Sequence, residues 1–367
     1  MTETILLIDD RADQLDPLVA ELRQRLAGND VVVIPWIPGN GQDPKVAFDD
    51  LLKTHDIRLV VTDYDLTTSG NLGLFGATIV DWCQLNTVPV GDFSRGHATS
   101  LASEPNLFEL RVPVENSTVA GEYIAHVYKG FSEIRRALET NPHLLEQRSP
   151  SVALAHLLDV KHLISEFSQY GIKFGSANSN LVDRIIRTAS REVEPDREER
   201  VKVLCYIMGH LLKNSILRFA GPLMDRKALA AYIAVDVAEL NDLEALLAGA
   251  RYTGPFADVE PYYWTEKVDS ILLRVEEQLP KNREFESPGQ QNRALAGLHL
   301  GRVLRVHNTC QTRCQGEQGG FLCPYTKYTV CQRSDCSVAS SAWIPAGARL
   351  SRFERDFYDE WAPILGM

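Results

Sequence analysis

No stretch of this 367-residue chain strings together about 18 apolar residues, the length a helix needs to cross a bilayer, so a membrane-spanning role is not expected. The amino end has neither the basic region nor the apolar core of a secretory signal, which leads us to expect a cytoplasmic protein. Positive charge is short as well: 38 Lys and Arg face 49 Asp and Glu, a formal net charge of -11 at pH 7. Such a balance opposes attraction to nucleic acid and to anionic lipid, so the expected partners are proteins. The rest of the composition, 44% hydrophobic and 24% charged, is that of an ordinary globular protein. A chain this long outgrows a single core, and two or three domains are expected.

The amino-terminal part alternates two periodicities. TILLIDD (residues 4–10) is an apolar run ending in two acids, the pattern of a buried parallel strand whose carboxyl end opens on a site. DPLVAELRQRLAG then sets Leu18, Val19, Leu22 and Leu26 at helical spacing and closes with Gly28. The alternation continues through strand DVVVIPWIP, helix PKVAFDDLLKTH, strand IRLVVTD, helix GATIVDWCQLN, strands VPVGDFS and LFELRVPV, and helix EYIAHVYKGFSEIRRALET. Repeated strand-helix units predict an α/β fold with a doubly wound, parallel, five-stranded sheet over residues 1–140. Asp9, Asp10 and Asp63 would converge at the carboxyl ends of its strands.

That order, with paired acids after the first strand and an aspartate after the third, resembles the receiver domain of two-component response regulators. The resemblance implies a flavodoxin-like fold, Mg²⁺ held by Asp9 and Asp10, and a phosphoryl group accepted by Asp63. It also implies a backbone carbonyl at Asp65 in the metal site and a switch hydroxyl at Ser94, reached from the strand-opening Pro89. The residue types suit the chemistry. Phosphoryl transfer needs an oxygen nucleophile in line with the leaving group and a cation to neutralise the equatorial oxygens, and Mg²⁺ prefers hard oxygen ligands. The family's lysine, directly before a proline at the end of the fifth strand, is missing: Val112 precedes Pro113, and Arg111 would face the other side of an extended strand.

The function expected on this basis is a signalling switch, a phosphoacceptor rather than a turnover enzyme. A histidine kinase would act upstream and an output effector downstream, and a homodimer is compatible with the reading. Two alternatives stand beside it. One is a phosphorylation-independent adaptor or scaffold. The other takes Asp63, Asp65 and Thr67 as D-x-D-x-T, which resembles haloacid dehalogenase phosphatases, where the first aspartate attacks phosphate and the second is the general acid-base. That motif ends the first strand of its family's domain, whereas here it ends the third.

Ser149, Pro150 and Ser151 supply helix-opening chemistry, and residues 148–283 are expected to form a helical domain. GHLLKNSI around His210 resembles a histidine-kinase phosphoacceptor box, but no acid follows the histidine and no glycine-rich ATP lid occurs, so a core histidine is expected. KALAAYIAVDVAELNDLEALLAGARY can be drawn as helix, turn, helix, yet its second half is acidic and apolar, unlike a DNA reader.

Residues 290–367 are expected to form a small α+β module around a metal. Five of the seven cysteines follow C-x3-C-x8-C-x7-C-x4-C: Cys310, Cys314, Cys323, Cys331 and Cys336, with His307 just before them. In a reducing compartment such crowding points to metal ligation. Four of these six groups satisfy tetrahedral Zn²⁺, and an iron-sulfur cluster uses the same thiolates. The remaining cysteines, Cys83 and Cys205, lie in apolar helical patterns as buried thiols. A closing amphipathic helix presents Phe353, Phe357, Tyr358 and Trp361.

Overall fold

The fold comes from a computed structural model, which describes residues 2–39, 42–67, 74–93, 109–113, 115–177, 197–277, 284–285, 287–306, 310–314, 320–339 and 343–365. The chain forms two compact units: Met1–Ala153 with Asn178–His210, and Leu154–Ala177 with Leu211–Met367. The second unit takes in both residues 211–283, read from sequence as helical, and residues 290–367, read as Cys-rich. No helix among the described residues is long and apolar enough to cross a membrane.

The first unit is built on five parallel strands, β1 (Glu3–Ile8), β2 (Val31–Trp36), β3 (Asp56–Asp63), β4 (Val90–Phe93) and β5 (Leu110–Arg111), in the order β2-β1-β3-β4-β5. Helices α1 (Ala12–Arg25), α2 (Pro44–Thr54), α3 (Gly76–Leu85) and α4 (Ser117–Thr140) follow its strands, and most of the helix Arg197–Leu211 belongs to the same unit. β1 is continuously apolar because both its faces are covered: Ile5, Leu6, Leu7 and Ile8 are all fully buried. Leu6, Ile8 and Val60 join a cluster with Phe48 of α2 and Ile79, Val80 and Cys83 of α3. On the opposite face α1 packs against α4. β2 tolerates Pro35 because it is an edge strand, whose missing ladder donor need not be met by a second neighbour.

Local chemistry fixes the helix starts. Asp43 caps α2 by accepting from the Lys45 N–H at 2.8 Å, with Pro44 in the first turn, and Asn116 caps α4 by accepting from the Val119 N–H at 2.8 Å. His210 is a core residue, as expected: it lies edge-on to Phe131 and Tyr206, ring centroids 5.2 and 4.7 Å away, and burial lowers its pKa to about 3. Cys83 and Cys205 are buried thiols, also as expected.

In the second unit an apolar core gathers the helices Arg226–Ile233, Thr265–Glu276 and Pro288–Leu300. The region expected to be wholly helical also carries two strands, β6 (Leu223–Asp225) and β7 (Tyr262–Trp264), paired antiparallel. The reason is local: Tyr262, Tyr263 and Trp264 are strand formers whose rings are buried. After the helix Arg226–Ile233 the candidate DNA-reading motif breaks into short turns, with an α segment limited to Glu244–Leu247. The carboxyl end folds as two hairpin-like pairs, β8 (Phe321–Leu322) with β9 (Thr329–Val330) and β10 (Ser337–Val338) with β11 (Phe353–Glu354). The closing helix begins at Arg355, so Phe353 sits in β11 rather than on the helix. Phe353 and Phe357 are buried, and both stack on Tyr325. The Trp361 side chain lies outside what is described.

Candidate functional site

The sheet order reverses direction between β1 and β3, and in a doubly wound sheet that reversal opens a crevice at the carboxyl ends of the two strands. Asp9 and Asp10 directly follow β1, and Asp63 is the last residue of β3. Their carboxylate oxygens all lie within 4.8 Å of one another. These three sequence-predicted residues therefore do meet. Asp9 is 1% exposed, and its Oδ1 accepts from the Arg11 N–H at 2.9 Å. The Asp10 side chain is buried as well, with the half-exposed Arg11 guanidinium 4.0 Å away.

Burial sets the electrostatics of this group. Desolvation raises the Asp9 pKa to about 6, the Arg11 N–H offsets part of that, and repulsion from Asp63 adds to it. Asp63 is raised for the same first reason, with its own hydrogen bond to the Tyr64 backbone opposing and Asp92 and Asp10 reinforcing. The Arg11 charge lowers both. Three carboxylates drawn out of water and facing one another hold more negative charge than Arg11 relieves, and hard oxygen donors are the set that Mg²⁺ takes.

The acidic strain has a measurable sign. Since the Asp9 pKa is higher in the fold than in an unfolded chain, metal-free protein is most stable below about pH 4 with respect to this group. That stability is lost as pH rises through about 6. Asp9→Asn keeps the oxygen that accepts from Arg11 and removes the charge. It should raise the stability of metal-free protein at pH 7.5 by up to about 3 kcal/mol and have little effect at pH 4. Urea unfolding in chelator at the two pH values checks this, and equal effects at both would refute the burial account.

A close approach holds the acceptor end of β3. Gly76 N–H donates to the Tyr64 carbonyl at 2.8 Å, and Asp65 pairs with Phe75 in an isolated antiparallel bridge. A Cβ at Gly76 would collide with the Asp63 carbonyl oxygen and come within 2.9 Å of the Tyr64 Cα, both backbone atoms that no rotamer change can move. Alanine normally favours a helix by about 1 kcal/mol over glycine, but here an overpacking penalty of about 1–3 kcal/mol opposes it. Gly76→Ala should therefore lower the urea midpoint and disturb the position of Asp63.

The other predicted residues fare differently. The Asp65 carboxylate accepts from the Thr67 N–H at 3.1 Å and from its hydroxyl at 2.6 Å, which holds its pKa down in an exposed turn. It is not part of the acidic trio. Ser94 lies outside the described residues. Val112 is buried and packs toward Gly91, while Arg111 is exposed and pairs in register with Asp92. Sequence reasoning missed Asp92. Its signal was an acid inside the apolar strand VGDF.

A second constellation lies in the other unit. The sulfurs of Cys310, Cys314, Cys331 and Cys336 all fall within 4.8 Å of one another, and no disulfide links them. All four cysteines are buried. Cys314 and Cys331 Sγ are 3.2 Å apart, and Cys310 Sγ accepts from the Cys331 N–H at 3.4 Å. Main-chain pairing brings the two halves together: Gln311 N–H donates to the Thr329 carbonyl at 2.9 Å, and the turn at Arg333 folds Cys336 back through a 3.0 Å hydrogen bond. The hydrogen bond with Cys331, then burial, raises the Cys314 pKa, and burial above all raises that of Cys331, whereas hydrogen bonds to Thr312 and Cys331 outweigh burial at Cys310 and lower its pKa. Cys323 is buried but stands apart from the four, opening the β8–β9 turn through hydrogen bonds with Tyr328 and Lys327. His307 lies outside the described residues. Comparison with protein-family models, curated proteins and solved structures finds no match to this chain.

Proposed function

We propose that the first unit is a Mg²⁺-dependent phosphoacceptor switch of the receiver type, with Asp63 as acceptor, and that the second unit carries its protein-binding output on a fold stapled by Zn²⁺. The observation that carries the reading is the meeting of buried Asp9 with the half-buried Asp10 and Asp63 where a β2-β1-β3-β4-β5 parallel sheet reverses its winding. Bound Mg²⁺ would neutralise charge on the transferred group. Asp9 and Asp10 hold the ion. Asp63 supplies the attacking oxygen, and the P–O bond to the donor's leaving group breaks as the acyl phosphate forms. Arg11, 4.0 Å from Asp10, adds positive charge at the rim.

The phosphatase reading asks Asp65 to serve as general acid beside Asp63, and its engagement with Thr67 argues against that. Val112 favours the adaptor as the second reading, since an efficient receiver uses a cation there. For the cysteines, a single ion bound by four thiolates sets the sulfurs about 3.8 Å apart, while a cluster with several irons spreads them farther. The tight packing of the four favours Zn²⁺. Incubating the full chain with Mg²⁺ and acetyl phosphate, then reading intact mass, tests the central reading. One phosphoryl group per chain supports a switch, continuing phosphate release supports a phosphatase, and no modification leaves the adaptor.

A further inference from the structure

A cavity in the first unit has no role in phosphoryl transfer. It encloses about 470 Å³ within the first unit, a volume typical of small-molecule sites. Its walls come from the start of β3, the turn that leads into β4, the faces of α2 and α4, and the helix Arg197–Leu211. The acids lie at the other end of β3, a strand length of roughly 20 Å away. The cavity is thus separate from the acidic crevice.

Its lining joins an apolar body to a cationic rim. Phe131 and Tyr206 contribute buried rings. Arg58 reaches in with its Nε shielded from solvent and without a hydrogen-bond acceptor; Glu3 is 3.6 Å away, and Asp56 engages only the terminal nitrogen. Lys202 and His55 also line the space, and neither side chain has a hydrogen-bond or ion-pair partner among the described residues. Asp49 is engaged by Lys45, and Asp56 and Glu3 offset the Arg58 charge, while Glu198 is exposed, where solvent screens it, so the cation this rim leaves without an acidic partner among the described residues is Lys202.

The wall also stores strain. Thr87 adopts φ 51°, a left-handed conformation that disfavours a β-branched residue. Such conformations are costly and cluster at ligand clamps. Here the strained residue sits on the cavity wall, between the end of α3 and Pro89.

From these observations we infer that the cavity is a binding site for a small anionic molecule with an aromatic or apolar body, its anion received by Lys202, with the Arg58 Nε–H and the His55 ring as further donors. A carboxylate, sulfonate or phosphate would satisfy the same groups. The inference does not depend on phosphorylation of Asp63.

The test uses the full chain and 8-anilinonaphthalene-1-sulfonate, whose single sulfonate sits on an aromatic body. Fluorescence should rise to saturation at about one site per chain and weaken with added salt. The neutral analogue N-phenyl-1-naphthylamine should not displace it. Lys202→Glu should weaken binding by about tenfold or more, and Lys202→Met, which keeps the volume and removes the charge, should do so to a smaller degree. Asp63→Asn should leave binding unchanged. Near-ultraviolet circular dichroism identifies whichever Lys202 variant retains the native fold. Unsaturable enhancement, displacement by the neutral analogue, or wild-type affinity in a folded Lys202 variant would overturn the assignment.

Discussion

Asp63→Asn should abolish labelling by acetyl phosphate and leave a folded protein. The substitution is nearly isosteric and removes the anionic oxygen that must attack phosphorus, so modification should fall to background. Its effect on stability points the other way. Burial and the neighbouring Asp92 and Asp10 make a charged Asp63 unfavourable in the metal-free fold, so neutralising it should hold or raise the unfolding midpoint. Lost labelling with an unchanged or higher midpoint cannot be blamed on unfolding. Asp10→Asn should instead shift the Mg²⁺ dependence to higher concentration, and Ser94→Ala should spare labelling while impairing the response to it. Labelling that persists in Asp63→Asn would remove this residue as the acceptor.

The largest stability effect should come from the cysteines. Protein purified without added metal is expected to contain about one Zn²⁺ per chain and to be colourless. A brown protein would mean iron-sulfur, and neither zinc nor iron in fresh, reduced protein would end the metal proposal. The four sulfurs join segments whose strands are only two residues long, β8 to β11, so little regular pairing remains once the ion is gone. Zinc binding contributes about 10 kcal/mol or more in small zinc-dependent folds, far more than such short strands provide. Hydrogen exchange after chelation should therefore show residues 310–338 opening first, with the β1–β5 sheet still protected. Cys331→Ser should lose the metal. Cys323→Ser should keep it, which separates the four-sulfur group from cysteine crowding in general.

The parts of the fold visible in the sequence were those governed by short-range pattern. Runs such as TILLI and IRLVV declared buried strands, and Leu18, Val19 and Leu22 declared a helix face, so the sheet and the meeting of Asp9, Asp10 and Asp63 could be drawn before any coordinates. Long-range choices were not visible. C-x3-C-x8-C-x7-C-x4-C does not say which thiol is spare. Cys323 is excluded by the β8–β9 turn it opens, a pairing set by residues farther along. The pairing of β6 with β7 likewise joins residues from either side of a helical stretch, beyond the reach of periodicity. Asp92 became part of the acidic environment only when β4 was placed beside β3.

The bridge between Asp65 and Phe75, with the Gly76 hydrogen bond beneath it, ties off the chain segment between them at its base. Extending such a tied segment is entropically mild, about 0.6 kcal/mol for each doubling of its length. An epitope or a small fluorescent reporter spliced between residues 68 and 73 should therefore leave the tie at Asp65 and Phe75 closed, giving a means to follow the protein in living cells that leaves both chain ends untouched.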